Sequence, residues 1–286
     1  MKIPKVTIKE LLEAGVHLGH KTFRWNPKMS KYIFGSKNSI HIINLVQTLE
    51  LTNAALQQIH KCISSGGKIL FVSTKKQAAE TISDLAKNTS QFYVNHRWLG
   101  GMLTNWKTIS NSIKRYKKLV EELKKDNKDF TKKEILKLGI ERDKLERSLG
   151  GIAEMKKIPE MIFIIDTNIE SLAVKEALKL NIPITAIIDT NSDPTGIDFP
   201  IPGNDDARRA INLYCDLVKQ TILDAQKSIS PAKTETNEVE FNKKAVNTVE
   251  IKKNDKEQSK NKEAVKEKKT KSIFAKVKEF ATKKSK

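Results

Sequence analysis

The sequence is short of the residues that most often carry chemistry. It has 2 cysteines in 286 residues. Cys62 and Cys215 stand far apart, which argues against a disulfide framework or a cysteine zinc cluster and fits a reducing compartment. No apolar run approaches the ~20 residues needed to cross a bilayer. The first residues, MKIPKVTIKE, lack the apolar stretch of a secretory signal. Glycine is missing where nucleotide chemistry needs it. The apolar strand KILFVST (68–74) runs into KKQAAE, with no glycine to let the backbone close on a pyrophosphate. Neither a GxxxxGK[ST] phosphate loop nor a GxSxG nucleophile elbow occurs. Gly66-Gly67 precedes that strand and reads as a turn. These absences weigh against a nucleotide-dependent enzyme.

Positive charge is what the chain has in excess. Lys+Arg number 53 against 34 Asp+Glu, a formal charge of +19. Such a surplus favours a polyanionic partner, either nucleic acid or an acidic membrane surface. Residues 229–286 hold +8 of it and residues 1–228 hold +11. The tail 229–286 is lysine-rich, has few large apolar residues and no sustained period, so it is expected to be disordered when free. Within it, SIFAKVKEFA (272–281) sets Ile273, Phe274, Val277, Phe280 and Ala281 on one face of a short helix. Such a helix is too short to be stable alone. The remaining 1–228 is expected to be one body, since 38% hydrophobic content can bury a sizeable core.

That body alternates strands and helices. KILFVST, QFYVN, EMIFIIDT, ITAIIDT and FPIPGN read as strands. Helical segments separate them, including NIESLAVKEALKLNIP with Asn168 as its expected N-cap, and DDARRAINLYCDLVKQTILDAQKS closes the body. Apolar strands separated by helices imply a parallel sheet covered on both faces. Five of them predict an α/β fold with a flavodoxin-like, doubly wound sheet.

One insertion, at about 104–151, breaks the alternation. Trp106, Ile109, Ile113, Tyr116, Val120 and Leu123 step by 3, 4, 3, 4 and 3, the period of a coiled-coil seam. A second helix is signalled by a capping box at Thr131 and Glu134, with Phe130 and Ile135 placed as a hydrophobic staple. Its seam runs Ile135, Leu138, Arg142, Leu145 and Leu149 before Gly150-Gly151. The two predict a protruding antiparallel coiled-coil hairpin roughly 30 Å long. Lys107, Lys114, Arg115, Lys117, Lys118, Lys124 and Lys125 stud its first helix, a density of one sign that favours phosphate contact. At its root, in HRWLGGMLTNWK, Gly100-Gly101 is expected to turn the chain into the helix, with Thr104 as N-cap and Trp98 packed into the body. Arg97 is then poised at the base for phosphate.

A metal site is a further expectation. In GVHLGH, His17 and His20 share a face if the turn is helical. Asp166, Asp189 and Asp205 fall at or just past the C-terminal ends of strands, the edge where ligands gather in an open parallel sheet. His17, His20, Asp189 and Asp205 would suit one structural Zn²⁺. The alternative is that they are local hydrogen-bonding and capping groups.

Five separated stretches occur together in one family: GVHLGHKTFRWNPKMSKYIFGSKNSIHIINLVQT, VNHRWLGGMLTN, LGGIAEMKKIPEMIFIIDTN, AVKEALKLNIPITAIIDTNSDP and IPGNDDARRAINLYC. Over about residues 5–228 the chain closely resembles the bacterial-type ribosomal protein S-two (uS-two) family of the small subunit. Ser39 and Asn44 depart from its pattern, standing where glycine and aspartate are expected. The lysine-rich tail lies outside the pattern. The resemblance implies a structural constituent of the small subunit, binding 16S-type rRNA and neighbouring ribosomal proteins and helping to retain ribosomal protein S-one. It implies no catalysis and no required cofactor. The expected setting is the cytoplasm or an organellar ribosome, with no membrane contact and no obligate homo-oligomer.

The residues agree with that implication. KTFRWNPKMSKY interleaves Arg24, Lys28 and Lys31 with Phe23, Trp25 and Tyr32, the mix found where charge meets phosphate and rings pack or stack. Trp25 either contacts RNA or anchors an exposed β-ribbon. Lys21, Arg208 and Arg209 complete the basic residues expected at RNA. Two other classes stay open: an enzyme processing nucleotides or sugars on the same sheet, and a basic protein of a membrane surface.

Overall fold

The computed structural model describes residues 4–124 and 131–228. The tail from 229 onward, with the stretch 272–281, lies outside the described residues, as do Lys125 and the staple residue Phe130.

The chain opens with α1 (Ile8–Glu13), started by a capping box between Thr7 and Glu10. β1 (Leu18–Lys21), β2 (Ile33–Lys37) and β3 (Ile40–Ile43) form an antiparallel sheet in the order β1-β3-β2. Asn38 and Ser39 join β2 to β3, both at positive φ (52° and 59°). Two successive left-handed residues make a type I′ hairpin turn, for which Asn-Gly is a favoured pair. Ser39 therefore adopts, at a steric cost, the backbone that the expected glycine would adopt freely. α2 (Leu45–Ser64) follows, and the Asn44 side chain accepts from the Val46 N–H. Asparagine caps a helix as well as the expected aspartate. α2 goes beyond the elements expected from the sequence, and of this sheet the sequence offered only the alternative of an exposed β-ribbon at Trp25.

The remaining elements are β4 (Ile69–Val72), α3 (Ala79–Asn88), β5 (Phe92–Val94), α4 (Trp106–Lys124), α5 (Lys132–Leu149), β6 (Met161–Ile165), α6 (Ser171–Lys179), β7 (Ile184–Ile188), β8 (Phe199–Pro202) and a helix α7 over residues 208–228. The five later strands are parallel, in the order β5-β4-β6-β7-β8. All five had been expected, and their order is the 2-1-3-4-5 of a flavodoxin-like sheet. Every residue of β4, β6 and β7 is buried, as continuous apolar strands require when both faces are covered.

Alternate residues feed two cores. Ile69, Phe71 and Phe163 point to one face, where Leu56 and Ile59 of α2 and Ile211 and Val218 of α7 cover them. The Phe71 and Phe163 rings meet with centroids 5.6 Å apart. Leu70, Val72, Ile162 and Ile164 point to the other face, against Ala173 and Ala177 of α6 and the inner ends of α4 and α5. Trp106, Ile109 and Ile113 share that cluster with Leu145 and Leu149, which sets the start of α4 beside the end of α5. The expected seam residues on both helices are the half-buried or buried ones, and Leu119, fully buried, joins them. The Thr131–Glu134 capping box is present.

Two expected caps are corrected. Asn168 does not cap α6, which begins after Glu170 without a side-chain cap. Its side chain instead donates to the Asn191 carbonyl and to Ser192. Thr104 does not cap α4: its hydroxyl donates to Glu176, 72 residues along the chain.

Candidate functional site

The root of the α4–α5 pair is fastened by one carboxylate. Gly101, at φ +82°, turns the chain in a conformation that a side chain would strain. The turn aims successive donors at Glu176 of α6. Glu176 Oε1 accepts from Trp98 Nε1 at 3.0 Å and from the Gly101 N–H at 2.8 Å. Oε2 accepts from the Leu103 N–H at 2.9 Å, the Thr104 N–H at 3.1 Å and the Thr104 hydroxyl at 3.2 Å. Burial opposes the charge, but the bonds from Trp98, Thr104, Leu103 and Gly101 outweigh it and hold Glu176 below the usual carboxylate range. Trp98 is buried, as expected of a packed anchor. Sequence reasoning missed Glu176, because it looks like any solvated glutamate on a charged helix.

Basic side chains surround this root and the small sheet. Arg97, Lys107, Lys114, Lys117 and Lys124 are exposed, as are Arg208 and Arg209 in the first turn of α7. Arg115 and Lys118 are exposed but engaged: Arg115 Nε donates to Glu141 at 3.1 Å, and Lys118 pairs with Glu122 at 3.7 Å. On the N-terminal side, Lys21, Arg24 and Lys31 are exposed, and Lys31 Nζ lies 4.7 Å from the centre of the Tyr32 ring. Lys28 is tied to Asp193 (2.8 Å) and Thr195 (3.0 Å), and the bonds that Asp193 accepts from Lys28 and from Thr195 hold it down to about 2. Trp25 is 40% exposed and tilts onto His41 at 5.4 Å. The sequence-predicted basic residues thus fall on two stretches, the segment from Lys21 to Lys31 between β1 and β2, and α4 with Arg97 in the turn before it, while Arg208 and Arg209 start α7 just past the end of β8.

That edge holds a cluster of buried charge. Asp166, Asp189 and Asp205 are 4%, 1% and 0% exposed, all beyond strand ends as expected. Gly19 lets β1 press against the end of β7: a Cβ there would meet the Thr190 methyl at 2.6 Å. This places the His20 N–H 2.9 Å from Thr190 Oγ1 and His20 Nδ1 2.8 Å from Asp189 Oδ2. The bond to Asp189 raises the His20 pKa against the opposing effect of burial. A lysine that sequence reasoning passed over sits at the centre. Lys75 Nζ reaches Asp166 at 2.9 Å, Asp205 at 2.8 Å and Asp206 at 2.7 Å. Burial penalises its ammonium, but the three carboxylates outweigh that and raise its pKa. Lys75 follows β4, where a nucleotide-binding sheet would carry its glycine loop, so a buried ion cluster stands in place of a phosphate cradle.

Donor atoms of His20, Asp189 and Asp205 all lie within 4.8 Å of one another. Asp205 Oδ2 is buried with no hydrogen-bond partner. Burial, with Asp166 and Asp189 close by, raises the Asp205 carboxyl despite Lys75. One imidazole nitrogen and two carboxylates fit a Zn²⁺ donor set. His17, the fourth expected ligand, is not part of this group. Its carbonyl accepts the Ile43 N–H at 2.9 Å, and its Nδ1 is buried without a partner.

Among the described residues no helix is long and apolar enough to cross a membrane. Comparison with known proteins bears on the rest. The family model described as "Ribosomal protein S2" matches residues 11–225. The "Small ribosomal subunit protein uS2" of Sinorhizobium medicae (strain WSM419) is 58% identical over 224 residues, covering 78% of this chain and 88% of that one. The proteins of the same name from Parvibaculum lavamentivorans and Agrobacterium fabrum are 55% and 56% identical, each over 78% of this chain and 88% of the relative. With that match spanning nearly all of the α/β body, the chain belongs to the ribosomal protein S2 family.

Proposed function

We propose that the chain is a structural constituent of the small ribosomal subunit, held to 16S-type rRNA mainly through phosphate contacts. The family's members are structural proteins and not enzymes. The observation that carries the RNA reading is the row of exposed lysines, Lys107, Lys114, Lys117 and Lys124, along a helix whose opposite stripe is buried against α5. In this reading α4 and α5 are an antiparallel coiled-coil arm, and their outward face meets phosphate. Lys21, Arg24, Lys31, Arg97, Arg208 and Arg209 extend the same surface; Lys28, Arg115 and Lys118 contribute after exchanging an acidic partner for phosphate. The +8 carried by residues 229–286 adds long-range attraction for phosphate. The setting would be the cytoplasm.

The test is sedimentation of the full chain with small subunits, and binding to 16S-type rRNA over a salt series. Affinity should fall steeply with salt, the slope growing with the number of phosphates neutralised. Replacing Lys107, Lys114 and Lys117 by alanine should reduce that slope without unfolding the body. A flat salt response would remove the phosphate reading.

Retention of ribosomal protein S-one is the finer part of the proposal. An open groove of about 640 Å³ beside the arm is lined by Trp98, Leu99, Ile140 and Leu172, with Arg97, Lys144 and Arg147 at its polar side. Its apolar lining suits a protein partner better than a phosphate backbone. Ile140→Asp with Leu172→Asp should release S-one from subunits while leaving rRNA binding in place.

The zinc reading is kept for His20, Asp189 and Asp205, supported by the unpaired Asp205 Oδ2. Zinc there would neutralise buried carboxylates and tie β1 to the ends of β7 and β8. Elemental analysis of chelator-washed protein refilled with Zn²⁺ should find one equivalent, lost in Asp205→Asn. No retained metal would leave Lys75 as the cluster's counter-charge.

A further inference from the structure

We infer that the three-stranded antiparallel sheet and the turn beside it form a stacking platform for unpaired RNA bases, with Phe23 and Phe34 as its exposed rings. The inference rests on the RNA reading above and adds a second kind of contact to it. Phenylalanine is normally buried, yet Phe34 is 78% and Phe23 72% exposed, the two most exposed large apolar side chains among the described residues. Phe34 owes its position to the strand pairing. Ile33 pairs with Ile43 and Gly35 with Ile42, so one extra residue, Phe34, is bulged out of register. A bulge of this kind re-aims a side chain away from the sheet. Phe23 lies in a short 3-10 turn between β1 and β2, and the Arg24 guanidinium sits 5.5 Å from its ring centre.

The charge of the segment that carries these rings selects the partner. From Glu13 to Glu50 no acidic residue intervenes, while Lys21, Arg24, Lys28, Lys31 and Lys37 fall in that interval. A bare apolar patch would suit another protein. Exposed rings set among cations of a single sign suit a strand that carries a flat base and a phosphate in every unit. Lys28, paired with Asp193, is the one of these cations already engaged with a carboxylate in the described ion pairs. Trp25 tilts onto His41 and is less exposed than either phenylalanine, at 40%.

The experiment uses the full chain and two polyanions: an oligoadenylate about ten nucleotides long, within the usual span of a stacking groove, and inorganic polyphosphate of matched charge. The variants are Phe23→Ala, Phe34→Ala and the aromatic replacement Phe34→Trp. All lie on the surface, and an unchanged melting temperature will establish that each folds. Each alanine variant should bind oligoadenylate about 5- to 100-fold more weakly. Polyphosphate binding should stay unchanged, and Phe34→Trp should retain affinity. If wild type and alanine variants bind the two polyanions alike, the platform is refuted while the phosphate reading stands. If no chain binds either polyanion, the RNA reading itself falls. If the variants keep oligoadenylate affinity but lose their place on the small subunit in sedimentation, the rings serve a protein contact and the inference is overturned.

Discussion

Removing the Glu176 carboxylate should loosen the root of the α4–α5 pair more than any single surface lysine could. Glu176 collects five donors through two oxygens. Two of the donor residues, Trp98 and Leu103, are buried, so their N–H groups have little access to water once the acceptor is gone. Leaving a buried donor unpaired costs about 1–3 kcal/mol, and Thr104, which is exposed, can turn to solvent at little cost. Glu176→Ala should therefore destabilise the body by about 3 kcal/mol, counting two stranded donors. For a domain of this size that corresponds to a melting-temperature drop of about 6–12 °C. Glu176→Gln is the sharper test. Its amide group would turn N–H toward N–H at one of the two positions, so the near-isosteric change should recover less than half of the loss. The acid dependence follows from the sign of the shift. A carboxyl lowered in the folded state contributes stability above its unfolded pKa of about 4.3 and loses it as pH falls through the folded value. The gap between wild type and Glu176→Ala should be constant near neutral pH and close on the acid side. Urea denaturation at a series of pH values measures all of this. A Glu176→Ala chain within about 0.5 kcal/mol of wild type, the range of ordinary surface changes, would refute the reasoning.

Lys75→Met would leave Asp166 and Asp205 buried without their counter-charge, and should cost about 3–5 kcal/mol, read by the same urea curves; a neutral outcome would mean that another cation or a proton balances the cluster. Ser39→Gly relieves a left-handed residue in the β2–β3 turn and should stabilise by up to about 1 kcal/mol. A loss of stability there would mean that the serine side chain makes a contact worth more than the strain. The Asp193 carboxyl, held to about 2 by Lys28 together with the Thr195 hydroxyl and N–H, should titrate near that value by NMR and rise part of the way toward the ordinary value of about 3.9 in Lys28→Ala, where the Thr195 bonds remain; an unshifted Asp193 in the wild type would remove the ion pair.

Much of the fold could be read along the chain because burial leaves a period. β4, β6 and β7 are buried on both faces, so their residues are apolar almost without interruption, and short β-branched runs of this kind suit covered parallel strands. The stripe on α4 and α5 repeats every three or four residues because only that stripe is buried, and a threonine three residues before a glutamate marks the start of α5 through a purely local bond. The small antiparallel sheet left a weaker mark. Its strands are four or five residues long, and bulges on both pairings break the alternation that would announce them.

What the sequence by itself determined, then, is whatever neighbours along the chain decide: strand and helix identity, the charge surplus, the missing phosphate loops, and the family motifs. The tertiary structure alone decided which groups meet. Lys75 finds Asp205 across 130 residues, Glu176 finds the turn at Gly101 across 75, and His20 finds Asp189 across 169. The same placement leaves His17 outside the acidic cluster and turns Asn168 and Thr104 from caps into long-range partners. An ion pair or a cradle of N–H donors requires only that its members converge at about 3 Å, and that can happen at any separation along the chain. It imposes no spacing on the residues themselves, so no pattern records it until the sheet brings its strand ends to one edge.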